Sequence, residues 1–173
     1  MESFDILQIV IAVVPSLIVG LVAYYFFNNF VRNEENRRYY NLKKDTHKDM
    51  IPYRVQALER MTLYLERIDP GRLLVRVKPH NEDKHSYENR LIQTIDQEFQ
   101  HNLTQQIYVS DSCWEAILAT KNATIALIRK SNMSEQVDTP DKLREVILTE
   151  LLDKSAPSIT GLAYLKREAR EMW

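Results

Sequence analysis

The residues best able to do chemistry in this chain are its four histidines and one cysteine. Three of the histidines, His80, His85 and His101, stand near Glu82, Asp83 and Asp96, a mixture of imidazole and carboxylate that can hold zinc. The spacing argues against it. A helical site wants two histidines four apart or a close pair, oriented by further hydrogen bonds. His80 and His85 straddle a polar loop, and His101 comes a helix later. Surface histidines are the expectation, and no metal ligand is assigned. Cys113 falls in the first turn of an expected helix, where the dipole could lower a thiol pKa. No histidine neighbours it in sequence to act as base, so a buried, inert thiol is expected. The chain has no Gly-rich phosphate loop, no HExxH and no GxSxG. No catalytic or cofactor-binding residue is assigned, and the protein is expected not to be an enzyme.

Two further charged features carry information. The totals, 23 Lys+Arg against 24 Asp+Glu, leave a net charge of -1, so no global field points to nucleic acid. Locally the balance shifts: residues 32–79 hold 12 cations and 7 acids, and residues 80–173 hold 11 and 15. Arg32, Arg37 and Arg38 are the basic residues nearest a preceding apolar run, followed by Lys43, Lys44 and Lys48. Beside a membrane each such cation contributes roughly 1 kcal/mol of attraction to anionic lipid. Arg37-Arg38-Tyr39-Tyr40 also offers charge with stacking rings. Acids interleave with the cations throughout, and no nucleic-acid partner is expected. Lys121 is the second feature, because it interrupts the apolar stripe of its helix. Such a lysine either snorkels its stem along the core to reach water or forms a buried pair with a carboxylate, here Asp96 or Glu98.

The elements that position these residues begin with an anchor. The first 31 residues hold no Lys or Arg, and Ile6–Phe27 holds no charge at all. About 22 residues at ~1.5 Å each reach roughly 33 Å, enough for a hydrocarbon core of ~30 Å. The acidic flank 1–5 and the length of the run disfavour a cleaved signal peptide. A transmembrane helix is expected over 6–28, followed by a polar juxtamembrane helix over 29–50. The cations on its C-terminal side place the remainder, 51–173, in the cytoplasm, with the N-terminus outside. Continuing straight, the juxtamembrane helix would carry Lys48 about 24 Å beyond Arg32. Lys43 to Lys48 are then expected to serve solubility or a protein partner rather than lipid. Ala12, Ser16 and Gly20 recur every four residues within the span, a small-residue row through which membrane helices associate.

The fold class expected is mainly α, a helical bundle over 51–173 with one short β segment near 72–78. Ile51-Pro52 should end the polar helix and start the next, which runs to about Ile68 with Val55, Leu58, Met61 and Leu65 on one stripe. Asp69-Pro70-Gly71 reads as a stop and turn, and Leu73, Val75 and Val77 alternate as a strand would. Three more helices follow, from about Ser86, from Ser110 or Ser112, and from Thr139-Pro140. A last helix from Ser155-Ala156-Pro157 should turn Ile159, Leu162, Leu165, Ala169 and Met172 inward. With 45% hydrophobic and 27% charged residues, bulk disorder is excluded. Only 3 glycines argue against a β-rich fold.

The segments from Val55 to Ile68 and from Glu98 to Ser110, with the acidic start and the single apolar run, resemble a family of uncharacterised membrane-anchored bacterial proteins, chiefly of the Bacteroidetes group. That resemblance implies a bacterial inner-membrane setting and carries no known activity. The function expected is a membrane-tethered scaffold or adaptor, with the membrane and a protein partner or homo-oligomer as its contacts. Two other readings stay open at this point. One is an enzyme whose site assembles only in three dimensions. The other is a lipid- or nucleic-acid-binding module built on 32–79.

Overall fold

A computed structural model describes residues 2–172; within α1 the side chains of residues 2–14, 16, 33, 35, 36 and 38–48 lie outside the described residues. The chain divides into two units, Met1–Asp49 and Met50–Trp173. Helix α1 covers Glu2–Arg67, so the break expected at Ile51-Pro52 does not occur. Proline forfeits one backbone hydrogen bond and crowds the preceding turn, at about 3 kcal/mol. The turns that follow bury Ala57, Met61, Tyr64 and Leu65, and that packing outweighs the local loss.

In the first unit the side chains described from Leu17 to Phe30 are exposed on all sides of the helix, including Leu17, Leu21, Tyr24, Phe27 and Phe30. Among the described residues no helix is long and apolar enough to cross a membrane. The span expected over 6–28 falls in large part on side chains outside the described residues, namely 6–14 and Ser16. Ala12, Ser16 and Arg38 lie outside them too. Gly20 is described, and nothing stands within 4 Å of where a Cβ would be. Arg32 and Arg37 are exposed.

The second unit is a helical bundle formed by the end of α1 with α2 (Pro70–Arg76), α3 (Lys84–Asn102), α4 (Asp111–Asn132), α5 (Pro140–Asp153) and α6 (Pro157–Arg170). A 3-10 helix, Leu103–Ile107, joins α3 to α4. The β segment expected near 72–78 is instead α2. Asp69 caps it by accepting from the Gly71 and Arg72 amides, with Pro70 in the first turn, where a missing N–H is harmless. Leu73 and Leu74 are both buried while Val75 is 70% exposed, a helical pattern that the alternation at 73, 75 and 77 concealed.

Caps fix the other helix starts. Asp83 opens α3, Ser110 rather than Ser112 opens α4, and Thr139 opens α5, each accepting from backbone amides in the first turn. On α6 Leu165 is buried and Leu162, Ala169 and Met172 pack against the core as expected, whereas Ile159 is exposed. The buried line also takes in Ser158, Gly161 and Glu168. On α5, Leu143 and Ile147 are buried whereas Leu148 and Leu152 face outward, Leu152 at 87%.

Gly161 shows why α6 turns this way. A Cβ there would stand 2.5 Å from Thr120 Oγ1 and 2.8 Å from Leu65 Cδ1. Helix α6 therefore lies close against both α4 and α1, and the side bearing glycine and serine is the one that fits.

Candidate functional site

Glu168 ties three elements of the bundle together. Its carboxylate is 7% exposed. Oε1 accepts from Arg54 Nη2 at 3.0 Å and from the Ser110 amide at 2.8 Å, and Oε2 accepts from the Ser110 hydroxyl. Arg54 Nε also donates to the Tyr108 carbonyl at 3.1 Å, and the Tyr108 ring stacks on Tyr53 with centroids 6.1 Å apart. The corner at Tyr108 thus anchors the turn, as a packed joint would. Ser110 Oγ in turn accepts from the Cys113 amide at 3.2 Å.

A serine beside a buried carboxylate could suggest a nucleophile with its base. Here Oε1 is engaged by a guanidinium and a backbone amide, Oε2 takes the Ser110 hydroxyl, and the serine oxygen in turn caps α4. Every polar atom of the pair thus serves an interhelix or capping contact. This cluster is a lock between helices. Cys113 lies against it, and burial first, then the Glu168 charge, push its thiol up to about 11. That is the opposite of an activated nucleophile.

A second lock joins α1, α2 and α3. Glu98 Oε1 accepts from Arg67 Nη2 and Arg76 Nη1, each at 2.6 Å, and Arg76 reaches the Arg67 carbonyl at 3.1 Å. Burial alone would raise the Glu98 carboxyl; the two guanidiniums more than offset it, and its pKa falls below the usual glutamate value. Beside it, Lys121 pairs with Asp96 at 2.6 Å and places its ammonium 4.6 Å from the centre of the Phe99 ring. Lys121 therefore snorkels: its stem is covered, and its charge reaches a half-exposed Asp96 at the surface, not a buried partner.

The Tyr64, Phe99 and Trp114 rings pack in series beneath this lock, 5.8 and 5.5 Å apart. The Tyr64 hydroxyl is buried with no hydrogen-bond partner among the described residues. Burial, then Asp96 and Glu98, hold that phenol well above its ordinary pKa. Tyr64→Phe removes an unsatisfied polar atom and leaves the packing, so it should stabilise the fold by about 1 kcal/mol. Urea denaturation of the two proteins checks the sign.

Three shallow grooves mark the bundle surface among the described residues. One, of about 510 Å³, runs between α1 and α6 over Leu58, Leu63, Leu165, Ala169 and Met172. A second, of about 490 Å³, lies between α4 and α6 over Ala116, Ala119, Ala123, Thr160 and Tyr164. A smaller one of about 250 Å³ shares Ala123 and Pro157 with the second and extends it past Leu127 and Leu151.

The residues singled out in sequence do not converge. His80, His85 and His101 are all exposed. His85 Nδ1 stands 3.2 Å from Asn132 Nδ2, within a cluster where Asn132 also donates to Glu88. Lys84 reaches the Asn132 and Val137 carbonyls at 3.3 and 2.7 Å and fastens the α4–α5 connection to α3. No group of three His, Cys, Asp or Glu among the described residues is placed to hold a metal ion. Arg54 and Glu168 were not found by sequence reasoning. Their one signal was a glutamate three positions after Leu165, on the side of the helix that also carries Gly161 and Ser158.

Comparison with known proteins gives a family. The chain matches a family of unknown function, DUF7935, over residues 4–172, and it belongs to that family. No curated protein and no solved structure matches it.

Proposed function

We propose that this member of DUF7935 is a membrane-tethered, non-catalytic adaptor whose helical bundle presents surfaces to a protein partner. The observation that carries the reading is the apolar helix of the first unit. Leu17, Ile18, Val19, Leu21, Val22, Tyr24 to Phe27 and Phe30 expose large apolar side chains around the whole helix circumference. A helix apolar all round needs an apolar surrounding. The residues described from Leu17 to Phe27 are by themselves too short to span a bilayer, at about 16 Å. The uncharged sequence from Ile6 supplies the remaining length.

Orientation rests on Arg32, Arg37, Arg38, Lys43, Lys44 and Lys48, all on one side of the run. Positive flanks stay cytoplasmic. The setting we infer is a bacterial inner membrane, with the N-terminus outside and the bundle in the cytoplasm. The adaptor role is supported by how the bundle uses its charged groups. Glu168 and Glu98 each bridge separate helices through arginines, and the bundle surface offers open grooves among the described residues.

A reporter fused after the last helix tests the orientation. Activity of a cytoplasm-only enzyme there is the expected result. Activity of a periplasm-only enzyme would overturn it.

A further inference from the structure

We propose that the outward face of α4 is where two copies of this chain associate, antiparallel and about a two-fold axis. Ser112, Glu115, Ala119, Ala126, Lys130 and Met133 are all exposed along this face. Their intervals are 3, 4, 7, 4 and 3, the same from either end, and residues at such spacings share one side of a helix. An axis passing between Asn122 and Ala123 therefore sets Ala119 against Ala126 of the second copy, Glu115 against Lys130, and Ser112 against Met133.

The two central pairings are chemically matched. Alanine against alanine lets two helix axes approach to the lower end of the ~8–10 Å usual range, or closer. Glu115 meets a cation at each end of the contact. Lys130 lies 2.8 Å from Glu150 yet keeps most of its side chain in solvent, and an ammonium has further protons to donate. Met133 is 83% exposed. In this register it arrives beside Ser112 and Glu115, which line one end of the α4–α6 groove. An exposed knob and an open groove are thus brought together twice by one symmetry operation.

The alanines alone would say nothing about what covers them. The order of charges and of the knob names the occupant. Opposite charges at equal distances from the centre complement a second copy related by a two-fold axis. This inference adds a partner to the adaptor reading and does not rest on the membrane anchor.

Oxidative cross-linking of the full chain in mild detergent tests it. In the proposed register Ala119→Cys in one copy lies within disulfide reach of Ala126→Cys in the other, for which Cα atoms must come within about 7 Å. Within one chain those positions are about 10 Å apart along the helix, and the native Cys113 is buried. The double variant should form a covalent dimer, and each single variant should form far less. Glu115→Lys should weaken self-association about tenfold by setting like charges together, and adding Lys130→Glu should restore it. A double-cysteine variant that stays monomeric, single variants that cross-link equally well, or a charge reversal without effect would each overturn the proposal.

Discussion

Glu168→Ala should destabilise the bundle by about 3 kcal/mol, because it strands an arginine and leaves the start of α4 without its acceptor. Arg54 and the amide and hydroxyl of Ser110 all donate to this one carboxylate. Arg54 is partly exposed, with 36% of its side chain accessible, so water recovers part of its loss. The Ser110 amide loses the same acceptor. Glu168→Gln keeps an acceptor for Arg54 and should cost less than half as much. Urea denaturation of the three proteins measures both differences, and equal stability of Glu168→Ala and the native chain would show that the lock contributes nothing.

Gly161→Ala is the second large effect, expected to cost about 2 kcal/mol despite alanine's better helix propensity of ~1 kcal/mol. The new methyl would stand 2.5 Å from Thr120 Oγ1. That hydroxyl is held by its own bond to the Ala116 carbonyl at 2.8 Å. On the other side stands Leu65, fully buried. Neither neighbour can yield without moving a helix. Thr120→Ala removes one of the two obstacles, so the double variant should recover part of the loss. Additive costs in the double-mutant cycle would show that the two residues do not press on each other.

The bundle was largely legible because its signals are local. Thr139-Pro140 and Ser155-Ala156-Pro157 mark the starts of α5 and α6, and the apolar stripe of α3, Leu91, Ile95 and Phe99, is the buried one. What escaped notice depends on contacts far apart in sequence. The Asp69 cap turns an alternating Leu73-Val75-Val77 pattern into a helix, and its other oxygen accepts from Ser158 at 2.6 Å, 89 residues away. On α6 the apolar side found by hydrophobicity, Leu162, Leu165, Ala169 and Met172, does pack on the core. The most deeply buried line, however, includes Gly161, which meets α4, and Glu168, which meets Arg54, and neither is marked by hydrophobicity. Pro52 reads as a boundary in sequence and lies inside α1, where burial of the following turns decides. Lys121 was the exception among the polar residues. A charge on an apolar stripe is visible without the fold, and Asp96, one of the two partners considered, is the one found.

Tethering is the claim on which the functional reading turns, and alkaline carbonate extraction of membranes containing the full chain tests it most directly. Carbonate strips proteins held by charge or by partners and leaves those embedded in the hydrocarbon core. The chain should remain in the membrane pellet, and Leu17→Arg with Leu21→Arg should release it, since each buried arginine costs roughly 2.5–3.5 kcal/mol at the centre of a span. Recovery of the native chain in the carbonate supernatant would contradict the account.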